Sequence, residues 1–185
     1  MSEVFLLKSF TDFCFTKKNY GNQYLDVCFL EFIKISCANV NRTMLYLTLE
    51  EDRDMMLTKQ GAAIAVARAI PSLKDKFDGV ALRVPVVTSS ISAITFLSER
   101  PTTVEEINTI LASASEEARW QGIFKTTTDQ LVSTDIIGDP YAAIADLSLT
   151  RVVDGDLCCV YSWYDNEFGY TNSLVRHVLK VAENL

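Results

Sequence analysis

Apolar positions alternate along "DGVALRVPVVTSS", where Val80, Leu82, Val84 and Val86 share one side, and this period of two predicts a strand. "SAITFLSER" continues in the same style. The spacing then changes. In "PTTVEEINTILASASEEAR" the apolar residues Val104, Ile107, Leu111, Ala114 and Ala118 recur at helical intervals, and Thr102 or Thr103 stands three residues before Glu105 or Glu106, a capping-box start. Upstream, "GAAIAVARAIPSLKDKF" is helix-like as far as Pro71, opens at Gly61 and carries small residues that permit close packing. "GIFKTTTDQLVSTDII" forms a second strand region, and in "SLTRVVDGDLCCVYSW" Asp154-Gly155 between two apolar runs predicts a hairpin turn. A last helix follows, with Leu174, Val178 and Val181 on one face and Val175, Leu179 and Ala182 beside them. Strands outnumber helices and hairpins are available. The class is therefore α+β, a mixed or antiparallel sheet with helices on one face.

The first 56 residues have a different character. Residues 1–32 hold Phe5, Phe10, Phe13, Phe15, Tyr20, Tyr24, Phe29 and Phe32, and "YLDVCFLEFIKISC" shows neither a helical nor an alternating period. "MLYLTLEEDRDMM" reads as a short strand running into a charged helix start. Residues 1–56 are thus left as an unassigned segment, with one domain over residues 57–185. An irregular cover, a partner-binding arm and a misplaced coding start all fit that segment.

Composition narrows the possibilities. Hydrophobic residues make up 49% and charged residues 22% of the 185, and no apolar run reaches the roughly 18 to 20 residues that cross a bilayer, so no membrane association is expected. The net charge of −7, without a basic block, repels phosphate backbones and argues against a nucleic-acid partner. Five cysteines, Cys14, Cys28, Cys37, Cys158 and Cys159, form no C-x-x-C pair, and the odd number suits a reducing compartment. The N-terminus carries Glu3 and lacks the apolar core of a secretory signal, so a cytoplasmic location is expected. His177 is the single histidine and has no ligand-spaced cysteine or carboxylate, so no metal site is expected.

The stretch richest in chemistry is "SWYDNEFGYTN", beginning at Ser162. Asp165 is suited to capping a helix that begins near Asn166. The Asn166 amide offers both a donor and an acceptor, and Tyr164, Phe168 and Tyr170 supply flat apolar walls, a combination that suits a planar carboxamide. The same residues also read as core rings, a plain cap and, at Gly169, a glycine that lets two elements pack closely.

"SWYDNEFGYTN", together with "GAAIAVARAIP", "LRVPVV", "RPTTVEEIN" and "VSTDIIGD" in the same order, resembles the C-terminal signature of phosphorylating glyceraldehyde-3-phosphate dehydrogenases, with erythrose-4-phosphate dehydrogenase as a close relative. The resemblance covers roughly residues 61–185. It implies the later part of that family's catalytic domain, whose last helix packs on a Rossmann domain. It further implies that Asn166 hydrogen-bonds a nicotinamide carboxamide on NAD or NADP and that Tyr170 helps to shape the nicotinamide pocket. Arg83 would hold a substrate phosphate, an oxyanion that an arginine fork matches. Gly61 would border the attacking-phosphate site. Glyceraldehyde 3-phosphate and phosphate are the implied ligands, and self-association or a dehydrogenase partner subunit the implied protein partners.

Departures from the family pattern matter as much. Gln60 stands where the family has a phosphate-binding threonine, and no G-x-G-x-x-G turn follows a strand, so no Rossmann half is encoded in these residues. The Ser-Cys-Thr-Thr-Asn nucleophile motif is absent, and "ISCANVN" around Cys37 echoes it only faintly, closer to Arg83 than the family spacing allows. The family's base histidine lies ahead of the Gly61 position, where this chain has none. Acyl phosphate formation needs a thiolate, a base, a nicotinamide and phosphate. The expectation is a catalytic-domain portion that is inactive alone, with no catalytic residue assigned. The alternative is a non-enzymatic interaction or oligomerisation module derived from that domain.

Overall fold

The computed structural model describes residues 44–51, 56–59, 70 and 73–183. Strands β1 (Met44–Glu51), β2 (Met56–Lys59), β3 (Phe77–Val84), β4 (Ser90–Leu97), β5 (Phe124–Thr127), β6 (Ala143–Asp146), β7 (Arg151–Val153) and β8 (Leu157–Tyr164) form one mixed sheet. Its order is β2-β3-β1-β4-β8-β6-β5, with β7 paired to β8. The β1–β3 and β5–β6 pairs are parallel and the other pairs antiparallel. Helices α1 (Val104–Ser115) and α2 (Phe168–Ala182) complete the described architecture, which is the α+β class that the apolar spacing predicts.

Strand β1 lies in the segment that the sequence pattern left unassigned. It sits between β3 and β4, with Leu47 opposite both Val80 and Ala93. The charged helix start expected after it falls on residues 52–55, outside the described residues, and Met56 already belongs to β2. The helix expected from Gly61 to Pro71 also falls largely outside them.

Strand β4 shows why its residues make a strand at the centre of a sheet. Ser90, Ser92, Ile94 and Phe96 are buried, while Ile91, Ala93, Thr95 and Leu97 are half-buried on the opposite face. Ile94 and Phe96 join Cys158, Val160, Phe124, Ala143 and Ala145 in the main core, and α1 covers that core with Ile107, Leu111 and Ala114. Val104 is only half-buried and Ala118 is exposed in a short 3-10 turn beyond α1, so the buried stripe is shorter than its sequence spacing suggested. In β3 the buried residues are Phe77 and Ala81, whereas Val80 is 41% exposed and Leu82 and Val84 are half-buried. The alternation in β3 is real, but its apolar residues face away from α1.

The α1 start keeps half of the expected capping box. Thr103 accepts from the Glu106 amide at 3.2 Å. The Glu106 carboxylate is taken instead by the Arg100 guanidinium and by the Thr102 hydroxyl at 2.8 Å. Those two hydrogen bonds hold the Glu106 carboxyl below its ordinary value. At the β7–β8 hairpin Asp154 and Gly155 both adopt positive φ, 52° and 77°, as the Asp-Gly signal requires.

The apolar side of α2 points outward. Its buried residues are Gly169 and Ser173, while Leu174, Val175, Val178 and Leu179 are 45–60% exposed. The described residues thus leave this apolar stripe largely exposed. The helix is held through its small and polar side: Asn172 Nδ2 donates to Pro140 O at 3.2 Å and Arg176 Nη1 to Gln121 O at 3.4 Å. No helix among the described residues is long and apolar enough to cross a membrane, and no cluster of metal-ligating side chains occurs among them.

Candidate functional site

Topology brings four strand ends to one edge of the sheet. The parallel strands β1 and β3 end there, β4 begins there and β8 ends there, with Ser90 opposite Tyr164. Arg83 lies at the end of β3 on the same strand face as the buried Phe77 and Ala81, and is itself half-buried. Asp165 and Asn166 follow β8 directly. Three strand spacings separate the backbones of β3 and β8, about 14 Å at the usual interstrand distance. The fold thus brings Arg83 and Asn166 to the same rim. Gly61 lies outside the described residues.

Asp165 is buried, and both of its carboxylate oxygens are occupied. Oδ1 accepts from the amides of Glu167 and Phe168, each at 2.8 Å, and Oδ2 accepts from Gly138 N at 2.7 Å. These are charge-assisted bonds to donors that have no intrahelical partner. Helix α2 starts at Phe168, two residues later than the sequence pattern suggested, and Asp165 supplies the capping contacts from ahead of it.

Asn166 is 3% exposed. Its Oδ1 accepts from Ser89 N at 2.9 Å and from Thr88 Oγ1 at 3.3 Å. A backbone N–H can only donate, so the orientation of the amide is fixed by its partner, and two donors fill the acceptor capacity of the oxygen. Any further contact of this amide with a ligand is made by the NH2 end, as a donor. Nothing in the sequence singles out Thr88 and Ser89, because neither residue type signals the conformation that brings them here. Ser89 has φ 81°, a left-handed backbone at a non-glycine residue, and is 1% exposed.

The aromatic residues divide. Tyr164 is buried in a small cluster with Ala142, against which Tyr170 and Ile123 pack from partly buried positions. Phe168 is 51% exposed. Gly169 lies where an added Cβ would meet Tyr141 O at 2.7 Å, so the first turn of α2 approaches the Pro140–Ala142 backbone more closely than any side chain permits. Lys125 braces the same loop, pairing with Asp139 at 2.6 Å and lying 4.7 Å over the Tyr141 ring. His177 is half-buried on α2, and desolvation pushes its pKa down from 6.5. Burial pushes the Cys158 thiol up, which is the wrong direction for a nucleophile.

The described sheet, with a buried carboxamide and an arginine at one rim, defines the class as an α+β domain. Residues 52–166, more than half of the chain, match the family described as "Glyceraldehyde 3-phosphate dehydrogenase, C-terminal domain". Glyceraldehyde-3-phosphate dehydrogenase of Zymomonas mobilis is 41% identical over 131 residues, 71% of this chain and 39% of the relative. Glyceraldehyde-3-phosphate dehydrogenase 3 of Nostoc is 45% identical over 128 residues, 69% of this chain and 38% of the relative. The enzyme of that name from Mycobacterium avium is 44% identical over the same length, 37% of its own chain. The chain belongs to the glyceraldehyde-3-phosphate dehydrogenase family, and it spans about two fifths of the length of these relatives.

Proposed function

We infer that this chain is the ligand-cradling C-terminal portion of a glyceraldehyde-3-phosphate dehydrogenase-like oxidoreductase, comprising residues 57–185 together with the β1 strand that pairs into the same sheet. The observation that carries the reading is the buried Asn166 amide, whose oxygen is already held by Thr88 and Ser89. Its NH2 end is suited to the carbonyl oxygen of a nicotinamide carboxamide, on NAD or NADP, with Tyr170 at the side of the pocket. When bound, the nicotinamide accepts hydride. Arg83 at the same rim suits the phosphate of glyceraldehyde 3-phosphate or of erythrose 4-phosphate. Gly61 is assigned to the attacking-phosphate site.

These 185 residues alone are not expected to turn over substrate. They contain neither the Ser-Cys-Thr-Thr-Asn motif nor a histidine ahead of Gly61, and His177 sits on α2. The uncovered apolar side of α2 suits docking of a nucleotide-binding half on a dehydrogenase subunit. The face of the sheet away from α1, with Leu47, Val80 and Leu157 each about two fifths exposed, suits self-association, and this favours the second reading of the chain as an oligomerisation module. A cytoplasmic setting accords with both.

The test is a titration of the isotope-labelled full chain with nicotinamide, and separately with glyceraldehyde 3-phosphate, followed by NMR. Nicotinamide is expected to shift the Asn166 and Tyr170 resonances, an effect lost in Asn166→Ala, and glyceraldehyde 3-phosphate to shift the Arg83 guanidinium. If neither ligand moves these resonances at millimolar concentration, the reading fails.

A further inference from the structure

Three segments meet behind Asn166, and each is hydrogen-bonded to the other two. The turn at Thr88 and Ser89 reaches the helix mouth through Ser89 N on Asn166 Oδ1 at 2.9 Å. The helix mouth reaches the loop after β5 through Asp165 Oδ2, which accepts from Gly138 N at 2.7 Å. That loop, which includes the 3-10 turn Ser133–Ile136, returns to the first segment through Ser133 O, which accepts from Ser89 Oγ at 2.8 Å. The last bond closes the ring, and it is the one bond of the three whose donor is a side chain.

Ser89 occupies the costliest position in this ring. At φ 81° its Cβ is crowded by its own backbone, yet it is a serine where glycine or asparagine would relieve the conformation. It is also 1% exposed, so its hydroxyl would carry a desolvation penalty without the Ser133 carbonyl. The left-handed turn is what aims Ser89 N at Asn166. We propose that the Ser89 hydroxyl is a positioning group: by bonding Ser133 O it locks the turn in the conformation that points the Ser89 amide at Asn166 Oδ1, and so fixes the direction in which Asn166 presents its NH2. The proposal rests on the nicotinamide reading only for its ligand, because the orientation of Asn166 is measurable without one.

Ser89→Ala tests the hydroxyl directly, since alanine keeps the Cβ, the left-handed cost and the backbone N–H while removing only Oγ. In the labelled full chain, hydrogen exchange of the Asn166 side-chain NH2 is expected to quicken about fivefold, and nicotinamide binding to weaken about fivefold, the effect of one lost hydrogen bond. The Phe168 amide, held by Asp165 rather than by Ser89, is expected to keep its protection. A general loosening of the fold would move both amides together, and that result overturns the proposal. So does a folded Ser89→Ala chain in which Asn166 exchange and nicotinamide affinity stay within about twofold of the unsubstituted chain. Should Ser89→Ala fail to fold, Ser89→Gly removes the same hydroxyl while relieving the left-handed cost, and the same readouts decide. Failure of nicotinamide to bind even the unsubstituted chain counts against the nicotinamide reading alone, and Asn166 exchange then decides the positioning role.

Discussion

Gly169→Ala tests how tightly the mouth of α2 is built, because two effects of opposite sign compete there. Gly169 is the second residue of α2, and alanine at a helical position is favoured over glycine by about 1 kcal/mol. Where there is room, the substitution therefore stabilises. Here the added methyl would stand 2.7 Å from Tyr141 O and 3.5 Å from Asp139 O, both backbone atoms. Ordinary contact begins at 3.4 Å, so the helix or the loop must give by about 0.7 Å. The loop resists: Tyr141 N is bonded to Asp139 Oδ1 at 3.0 Å, and the other Asp139 oxygen is held by Lys125. Overpacking against well-held neighbours costs about 1 to 3 kcal/mol, and a rigid backbone target belongs in the upper part of that range. The net expectation is a loss of about 1 to 2 kcal/mol, or roughly 2 to 8 °C in Tm for a chain of this size. Urea and thermal denaturation of the full chain, followed by circular dichroism, measure it. A variant as stable as the unsubstituted chain, or more stable by the helix-propensity term, refutes the close-approach argument.

Other consequences follow from the same contacts. Asp165→Asn presents an NH2 to backbone amides that need an acceptor and is expected to cost about 1 to 3 kcal/mol in urea denaturation; an unchanged midpoint would show that these bonds carry no net stability. His177 has its pKa lowered in the folded chain by desolvation, so between that lowered value and 6.5 the unfolded state binds more protons. Stability is expected to fall as pH drops below about 6.5 through that window, and His177→Gln to flatten this part of the profile. A slope identical in the two chains would remove His177 as its source. The half-exposed sheet face and the outward side of α2 predict self-association, visible in size-exclusion chromatography with light scattering, and a monodisperse monomer at high concentration would count against both surfaces.

Much of the fold is legible in the sequence where one face of an element is wet and the other dry. α1 carries a cap, an acidic first turn and a buried stripe at Ile107, Leu111 and Ala114, and the Asp154-Gly155 turn has the residues its backbone demands. β6 is not legible, because all four of its residues are buried and no alternation marks it as a strand. β1 is legible as a strand in "MLYLTLEE", although the aromatic-rich residues 1–32 ahead of it carry no sustained period. α2 misleads for a different reason: its apolar stripe has the spacing of a packed face, but the described residues leave it exposed and hold the helix by its small polar side. At the site, the family signature marks Asn166 and Tyr170, while Ser89 stays silent because its role depends on a left-handed φ that serine does not announce.

The central claim is that these residues hold ligands but do not transform them. The most direct measurement supplies the purified full chain with glyceraldehyde 3-phosphate, NAD and phosphate and follows NADH absorbance. The account predicts no NADH above the protein-free rate. Sustained NADH formation that disappears in Cys37→Ser would contradict it.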